Sequence, residues 1–286
     1  MKSAKSYNRK TMLIRIKQGT FLLLITAFMW STGGMLIKSV PWHPLAIAGT
    51  RSAIAALVFL LYLRHPRFTW SLPQLGGALS YAGTVALFVA ATKLTTAAAA
   101  ILLQYSAPIY VALLSGPVLS EKTTHRDWWA IFTVFGGMLL FFLDKLEGSN
   151  LLGNLLAIAS GWAFALLAIF LRLQKDGSPF ESVLLGNLLT ALIGLPFMLR
   201  DFPLDPKSVT SLLLLGTLQI GFPYILYVKA VKMVTALAAC LIPIIEPILN
   251  PLWVFLVIGE SPGKWSLLGG ALVICGVTWW SLKNRK

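Results

Sequence analysis

The sequence predicts an all-α polytopic membrane protein with ten transmembrane helices arranged as two inverted five-helix repeats. Three observations lead there. Of 286 residues, 57% are hydrophobic and only 12% are charged, against about 25% charged in a soluble domain; mean hydropathy is +0.78. The charges fall in short clusters between apolar runs that reach or approach the roughly 20 residues needed to cross a bilayer. The second half also repeats residue types of the first at one fixed offset. The first two observations exclude the water-soluble enzyme classes, and the third sets the architecture.

The apolar runs lie at about 19–37, 45–63, 71–92, 95–119, 127–143, 151–171, 181–199, 208–228, 234–257 and 264–282. Backbone polar groups must be satisfied internally in lipid, so each run is expected to be helical. The first follows a basic stretch, as a signal peptide would. Its apolar core is longer than a signal h-region and Ser39-Val40-Pro41-Trp42 is a poor cleavage site, so it reads as the first membrane helix. The domain division expected is a cytoplasmic basic tail over 1–18, repeats over 19–143 and 151–282, and a cytoplasmic C-terminal tail over 283–286.

Orientation follows from the Lys and Arg positions. With the N-terminus inside, 17 of the 24 basic residues are cytoplasmic, 6 lie in outer segments, and Arg51 alone sits inside a span. That bias places both termini in the cytoplasm. The basic tail, from Lys2 to Lys17, is a topology determinant that also meets anionic lipid.

The repeat is visible at residues 91–100 and 230–239, where Lys93 matches Lys232 and Thr96 matches Thr235. At the same offset of 139, Pro108 matches Pro247, Glu121 matches Glu260 and Gly137 matches Gly276. More weakly, the Trp30 region resembles the Trp162 region. Each half holds five runs, and an odd number of crossings sets two copies in opposite orientations, the inverted-repeat design of many secondary transporters.

The run Ala100-Ile101-Leu102-Leu103-Gln104-Tyr105-Ser106-Ala107-Pro108, leading to Leu119-Ser120-Glu121, resembles one half of the EamA-type drug/metabolite transporters. Ile245-Glu246-Pro247, leading to Ile258-Gly259-Glu260, is similar to that family's second-half signature; Trp30-Ser31, and Pro44 followed by Arg51, fit its first repeat. The resemblance covers about residues 19–282. It implies ten helices around a central cavity, moving small solutes by alternating access. Cargoes across that superfamily run from amino acids and drugs to sugars, nucleotide sugars and vitamins.

Two ionisable residues lie well inside spans, Arg51 and Glu246. A charge at membrane depth costs roughly 2.5–3.5 kcal/mol on insertion scales, so each needs a partner or a polar cavity. A shared substrate site, a fixed ion pair, and for Arg51 a snorkelling side chain all remain open. Glu246 sits between Pro243 and Pro247, with Pro251 beyond. Each proline removes a donor and frees a carbonyl in the preceding turn, and broken mid-membrane helices are where transporters expose polarity to substrate. Glu246 is also the candidate for proton coupling, depending on the balance of burial and neighbouring charge.

The other candidate substrate contacts are Gln104, Tyr105, Asn250, Gln219 and Tyr224, with Trp30 and Trp162 as aromatic wall. Such a mix is the usual composition of a small-molecule site. For each, core packing, lipid contact or an interhelical hydrogen bond is the competing role. Glu121 and Glu260 end spans 4 and 9 and are expected to fix turns. Gly136-Gly137 and Gly269-Gly270 are expected to permit close helix contact.

The net charge of +14 is spread between spans instead of forming one basic face, which argues against nucleic acid. Cys240 and Cys275 have no partner spacing, and His43, His65 and His125 lack metal-ligand spacing, so no disulfide and no metal are expected. No Walker A motif and no cofactor motif occur, and no histidine lies at membrane depth for an intramembrane enzyme. The expectation is a secondary transporter of a bacterial-type inner membrane with no cofactor, exporting a neutral or aromatic amino acid. A drug or organic-cation exporter, a sugar or vitamin permease and, more remotely, a channel stay as alternatives, and oligomeric state is left open.

Overall fold

The computed structural model describes residues 2–143, 150–200, 205–249 and 264–283, and every regular element among them is helical. The first half contains α1 (Lys2–Trp30), α2 (Gly33–Ser39), α3 (Pro44–Leu63), α4 (Leu72–Leu94), α5 (Ala97–Gln104), α6 (Ala107–Leu119) and α7 (His125–Phe142). The second contains α8 (Leu151–Leu173), α9 (Phe180–Met198), α10 (Pro206–Leu214), a π-helical stretch over Leu215–Gly221, α11 (Phe222–Val231), α12 (Ala236–Leu241) with a 3-10 turn over Ile242–Ile245, and α13 (Lys264–Lys283).

Seven stretches among the described residues are long and apolar enough to cross a bilayer: Leu13–Ser39, Pro44–Leu63, Leu72–Leu94, Ala99–Leu119, Leu151–Leu173, Phe180–Met198 and Pro206–Val231. Ala236–Leu249 and Leu267–Lys283 are shorter apolar helices. α7 begins on the polar turn His125-Arg126-Asp127. The stretch expected as a tail over 1–18 is helical from Lys2 and continuous with the first span, because no proline or glycine interrupts it before Gly19. At about 1.5 Å per residue α1 is about 44 Å long, longer than the roughly 30 Å hydrocarbon core.

The repeated motifs make equivalent local structures. Thr96 and Thr235, 139 positions apart, are both N-caps: Thr96 Oγ1 accepts from the Ala99 amide at 3.0 Å and Thr235 Oγ1 from the Ala238 amide at 3.2 Å. Such caps each satisfy an amide that the helix start leaves orphaned. α7 opens on a capping box between Thr124 and Asp127, and Asp127 Oδ1 also accepts from Trp280 Nε1 at 2.7 Å, tying α7 to α13.

Helix pairings obey a two-fold rule. α3 packs on α9 and α7 on α13, each with its counterpart, while α4 on α8 mirrors α11 on α1. Exchanging the halves leaves that set unchanged. Several crossings depend on glycine, two of them between counterpart helices. A Cβ on Gly49 would stand 2.8 Å from Gly194 Cα, so α3 and α9 meet backbone to backbone. A Cβ on Gly137 would stand 2.9 Å from the Gly269 carbonyl, the close contact expected of spans 5 and 10. Helix packing in membranes favours such small residues because apolar side chains gain nothing by leaving lipid.

Candidate functional site

Two broken spans build the centre. α5 ends at Gln104 and α6 begins at Ala107, with Tyr105 and Ser106 between them. Pro108 has no N–H for the Gln104 carbonyl four residues back. That carbonyl faces α8 at Gly161, where a Cβ would approach it to 2.6 Å. In the second half, Pro247 leaves the Pro243 carbonyl without its helical donor. Pro243 O instead accepts from the Glu246 amide and from Tyr105 Oη at 2.8 Å. Tyr105 Oη is also 2.6 Å from Glu246 Oε2. The hydroxyl of one half thus bridges the carbonyl and the carboxyl of the other.

Arg51, on α3, is 2% exposed, and its Nη1 donates to Gln219 Oε1 at 2.9 Å. Its Nε is buried with no hydrogen-bond partner among the described residues. Gln219 is delivered by the π-helical stretch, a feature the regular span expected over 208–228 did not contain. Pro223 is the signal for it: lacking an N–H for Gln219 O, it lets the Phe222 amide reach back five residues to Thr217 O. Arg51 and Glu246 line one cavity of about 40 Å³ but form no ion pair.

Trp30, Gln104, Tyr105, Gln219 and Tyr224 line the same cavity, so seven of the nine expected contacts converge. Trp30 packs with Tyr224 at 5.2 Å, Tyr227 at 5.4 Å and Phe164 at 5.8 Å between ring centroids. Gln104 Nε2 donates to Ser160 Oγ at 2.7 Å, and Ser160 Oγ donates to Thr84 O at 2.9 Å, so this amide also serves as an interhelical bond. Trp162 corrects the sequence reading. It lies outside the cavity, 44% exposed on the outer face of α8, edge-on to Tyr110 at 5.0 Å. Asn250, like Pro251 and Glu260, lies outside the described residues. Thr84, Val85, Phe88, Phe164 and Ile220 complete the lining and were missed, since nothing in their types or spacing sets them apart from other span residues.

The two ends of the bundle differ. At one, Lys38 Nζ donates to Thr95 O at 2.9 Å, Lys93 Nζ to Val40 O at 2.7 Å, and Thr95 Oγ1 to Asn154 Oδ1 at 3.0 Å. At the basic end a vestibule of about 660 Å³ opens, lined by Arg15, Lys122, Arg172, Lys175 and Lys232 among others. There Glu121 does more than fix a turn: Oε1 pairs with Arg172 Nε at 2.7 Å and Oε2 accepts from the Ala236 amide at 2.9 Å, while Arg172 Nη1 donates to Val231 O at 2.9 Å. Among the described residues no group of three or more His, Cys, Asp or Glu side chains is placed to hold a metal ion.

Known proteins share this design. An uncharacterized transporter of Bacillus subtilis (strain 168), YwfM, is 26% identical over 282 residues, covering 93% of this chain and 95% of its own. An uncharacterized transporter of Archaeoglobus fulgidus is 25% identical, covering 92% and 96%. Human solute carrier family 35 member G1 is 24% identical over 188 residues, covering 58% of this chain and 51% of its own. A solved crystal structure superposes with a TM-score of 0.77 at 18% identity, covering 94% of this chain and 98% of the other, which establishes the likeness of fold. The model of the EamA-like transporter family matches residues 17–143 and again 151–282. With nearly the whole chain matched in two copies of one unit, the protein belongs to the EamA-like transporter family and is a multi-pass membrane transporter.

Proposed function

We propose that the protein exports a small zwitterion, a neutral or aromatic amino acid, by alternating access, with Arg51 receiving its carboxylate and Glu246 its ammonium. The observation that carries this reading is a guanidinium and a carboxyl lining one cavity without pairing to each other, the Arg51 Nε being buried with no hydrogen-bond partner among the described residues. A buried charge is tolerated when something completes its hydrogen bonds, and a zwitterion brings both complements. Trp30 and Tyr224 supply an apolar wall for its side chain. The cavity of about 40 Å³ is far smaller than the roughly 300–1,000 Å³ of a small-molecule pocket. Substrate therefore enters only as the helices part. The basic end is taken to face the cytoplasm of a bacterial-type inner membrane, on the 17-to-6 distribution of Lys and Arg.

Glu246 is the proposed proton carrier. Tyr105 Oη has one proton and two oxygen neighbours, Pro243 O and Glu246 Oε2. Both contacts become full hydrogen bonds when the Glu246 carboxyl carries a proton and donates it to Oη, while the tyrosine donates to Pro243 O. Release of that proton as the ammonium arrives would couple the two movements. A second reading rests on the Arg51–Gln219 hydrogen bond: with the guanidinium held by Gln219, the pocket suits an organic cation at Glu246.

Solute counterflow in proteoliposomes with labelled neutral, aromatic and cationic amino acids tests both readings. Saturable, accelerated exchange of neutral or aromatic amino acids is expected. Exchange of cations alone would move the assignment to the second reading. With folded protein confirmed, no exchange across the panel sinks the amino-acid assignment, and linear flux without exchange sinks the carrier mechanism.

A further inference from the structure

The basic vestibule has a side opening. A second cavity of about 190 Å³ shares Thr20, Ile242 and Ser281 with it and is otherwise walled mainly by apolar residues, among them Leu24, Val273 and Val277. It runs between α1 and α13, which both pack against the 3-10 turn over Ile242–Ile245 with little packing of their own. From Val273 to Leu282 the groove follows α13 for about 14 Å, at roughly 1.5 Å of rise per residue. Leu24, Ile274 and Leu282 are exposed along it, on the surface that faces lipid in a membrane-embedded bundle.

Charge is arranged to match. Of the basic residues lining the vestibule, Arg172 is committed to Glu121. Arg15, Lys122 and Lys175 form no ion pair among the described residues, and Lys232 donates to the Gly177 carbonyl. Of the three acidic residues, against five basic ones, Glu121 is paired to Arg172, Asp127 is held by Trp280 and Thr124, and Asp176 lies beside Lys175 in the chain. A pocket with surplus positive charge thus continues into an apolar slot open to the bilayer, at the end where the basic residues cluster. Basic pockets between membrane helices attract anionic headgroups. A soluble anion would use the first cavity and leave the second without purpose.

We propose that one anionic phospholipid seats in this cleft, its headgroup at Arg15, Lys122 and Lys232 and one acyl chain between α1 and α13. The bound lipid occupies the vestibule mouth and links the bilayer to the Glu121–Arg172 pair that joins the halves there.

Thermal unfolding and native mass spectrometry of the full chain in neutral detergent test this, with added phosphatidylglycerol, chain-matched phosphatidylcholine, or glycerol 3-phosphate. Phosphatidylglycerol should be retained through detergent exchange and raise the unfolding midpoint, and the other two should not. Lys122→Gln and Arg15→Gln should each weaken its retention about fivefold, the worth of one basic residue at an anionic surface. Ile274→Trp, on the exposed rim, should weaken it with all charges intact. Lys207→Gln, an exposed lysine at the opposite end, should change nothing. Equal retention of phosphatidylcholine overturns the proposal, as does a midpoint shift from glycerol 3-phosphate matching that of the lipid. So does equal loss in Lys207→Gln, which would reduce the effect to overall charge.

Discussion

The broken spans of the two halves are the same backbone device put to different uses. Pro108 and Pro247, 139 positions apart, each deprive the carbonyl four residues back of its helical donor. In the first half that carbonyl, Gln104 O, is covered by the close approach of α8 at Gly161. In the second, Pro243 O points to a side chain of the other half, Tyr105, which also meets Glu246. The position corresponding to Glu246 is Ala107. The duplicated backbone supplies two kinks, and one substituted side chain turns the second kink into a candidate site. Symmetry sets the scaffold, and departures from symmetry mark where chemistry sits.

The sharpest way to break this comparison is to remove the charges. A hydrogen bond to a charged group is worth about 1.5–3 kcal/mol, so Arg51→Gln should reduce counterflow of a zwitterion about 10–100-fold. Glu246→Gln should abolish the pH dependence of net transport while leaving substrate binding measurable. An unchanged pH profile in Glu246→Gln would remove the proton-carrier role. Retained zwitterion exchange in Arg51→Gln would favour a cargo that needs no guanidinium.

The tryptophans come next, and they show where sequence reasoning stops. Trp30 and Trp162 look alike from sequence, each near the middle of a corresponding span. Trp30 is buried against three aromatic rings, whereas Trp162 faces outward. Replacing a buried Trp by Ala costs about 3–5 kcal/mol through the void it leaves. An exposed aromatic pair is worth about 0.5–1.5 kcal/mol. Trp30→Ala should therefore lower the unfolding midpoint and transport together, and Trp162→Ala should leave transport within about twofold. Comparable losses would mean that Trp162 reaches the site in another conformation.

What was legible followed from covalent or one-dimensional facts. Apolar runs gave the helices, the offset of 139 gave the repeat, the prolines gave the breaks, and the scarcity of mid-span charge singled out Arg51 and Glu246. What was not legible depends on which way each helix turns. A helix carries neighbours about 100° apart, so Trp162 and Phe164 could not be assigned to lipid or cavity before packing was known. The π-helical stretch that aims Gln219 at Arg51 left only Pro223 as a trace. The continuation of α1 into the basic stretch was hidden by its charge, which says where a segment is solvated and nothing about its backbone.

Tyr105→Phe separates the hydroxyl from the kink. It removes the bridge to Pro243 O and Glu246 Oε2 without altering either proline. One buried hydrogen bond to a carboxyl group is worth about 1.5 kcal/mol at the low end. A roughly tenfold fall in proton-coupled exchange is expected, with a shifted pH profile. A fall with the profile unmoved would leave Tyr105 as a packing residue only.

The smallest effects fall on the prolines themselves, and their inequality tests the comparison most directly. Alanine restores an N–H at either position, and each proline stands in the first turn after its break, where proline carries no interior-helix penalty and alanine fits as well. Both Pro108→Ala and Pro247→Ala should therefore hold the unfolding midpoint. Their transport should differ. In Pro247→Ala the Pro243 carbonyl gains a donor from its own helix, which competes with Tyr105 Oη and slackens its grip on Glu246. Exchange should fall about threefold, on the order of 0.6 kcal/mol. In Pro108→Ala the Gln104 carbonyl closes on its own helix, and α8 at Gly161 touches the same backbone as before. Transport should stay within about twofold. Equal losses in the two variants would mean that both kinks act alike as hinges, and that the carboxyl of Glu246 is not what sets the second apart.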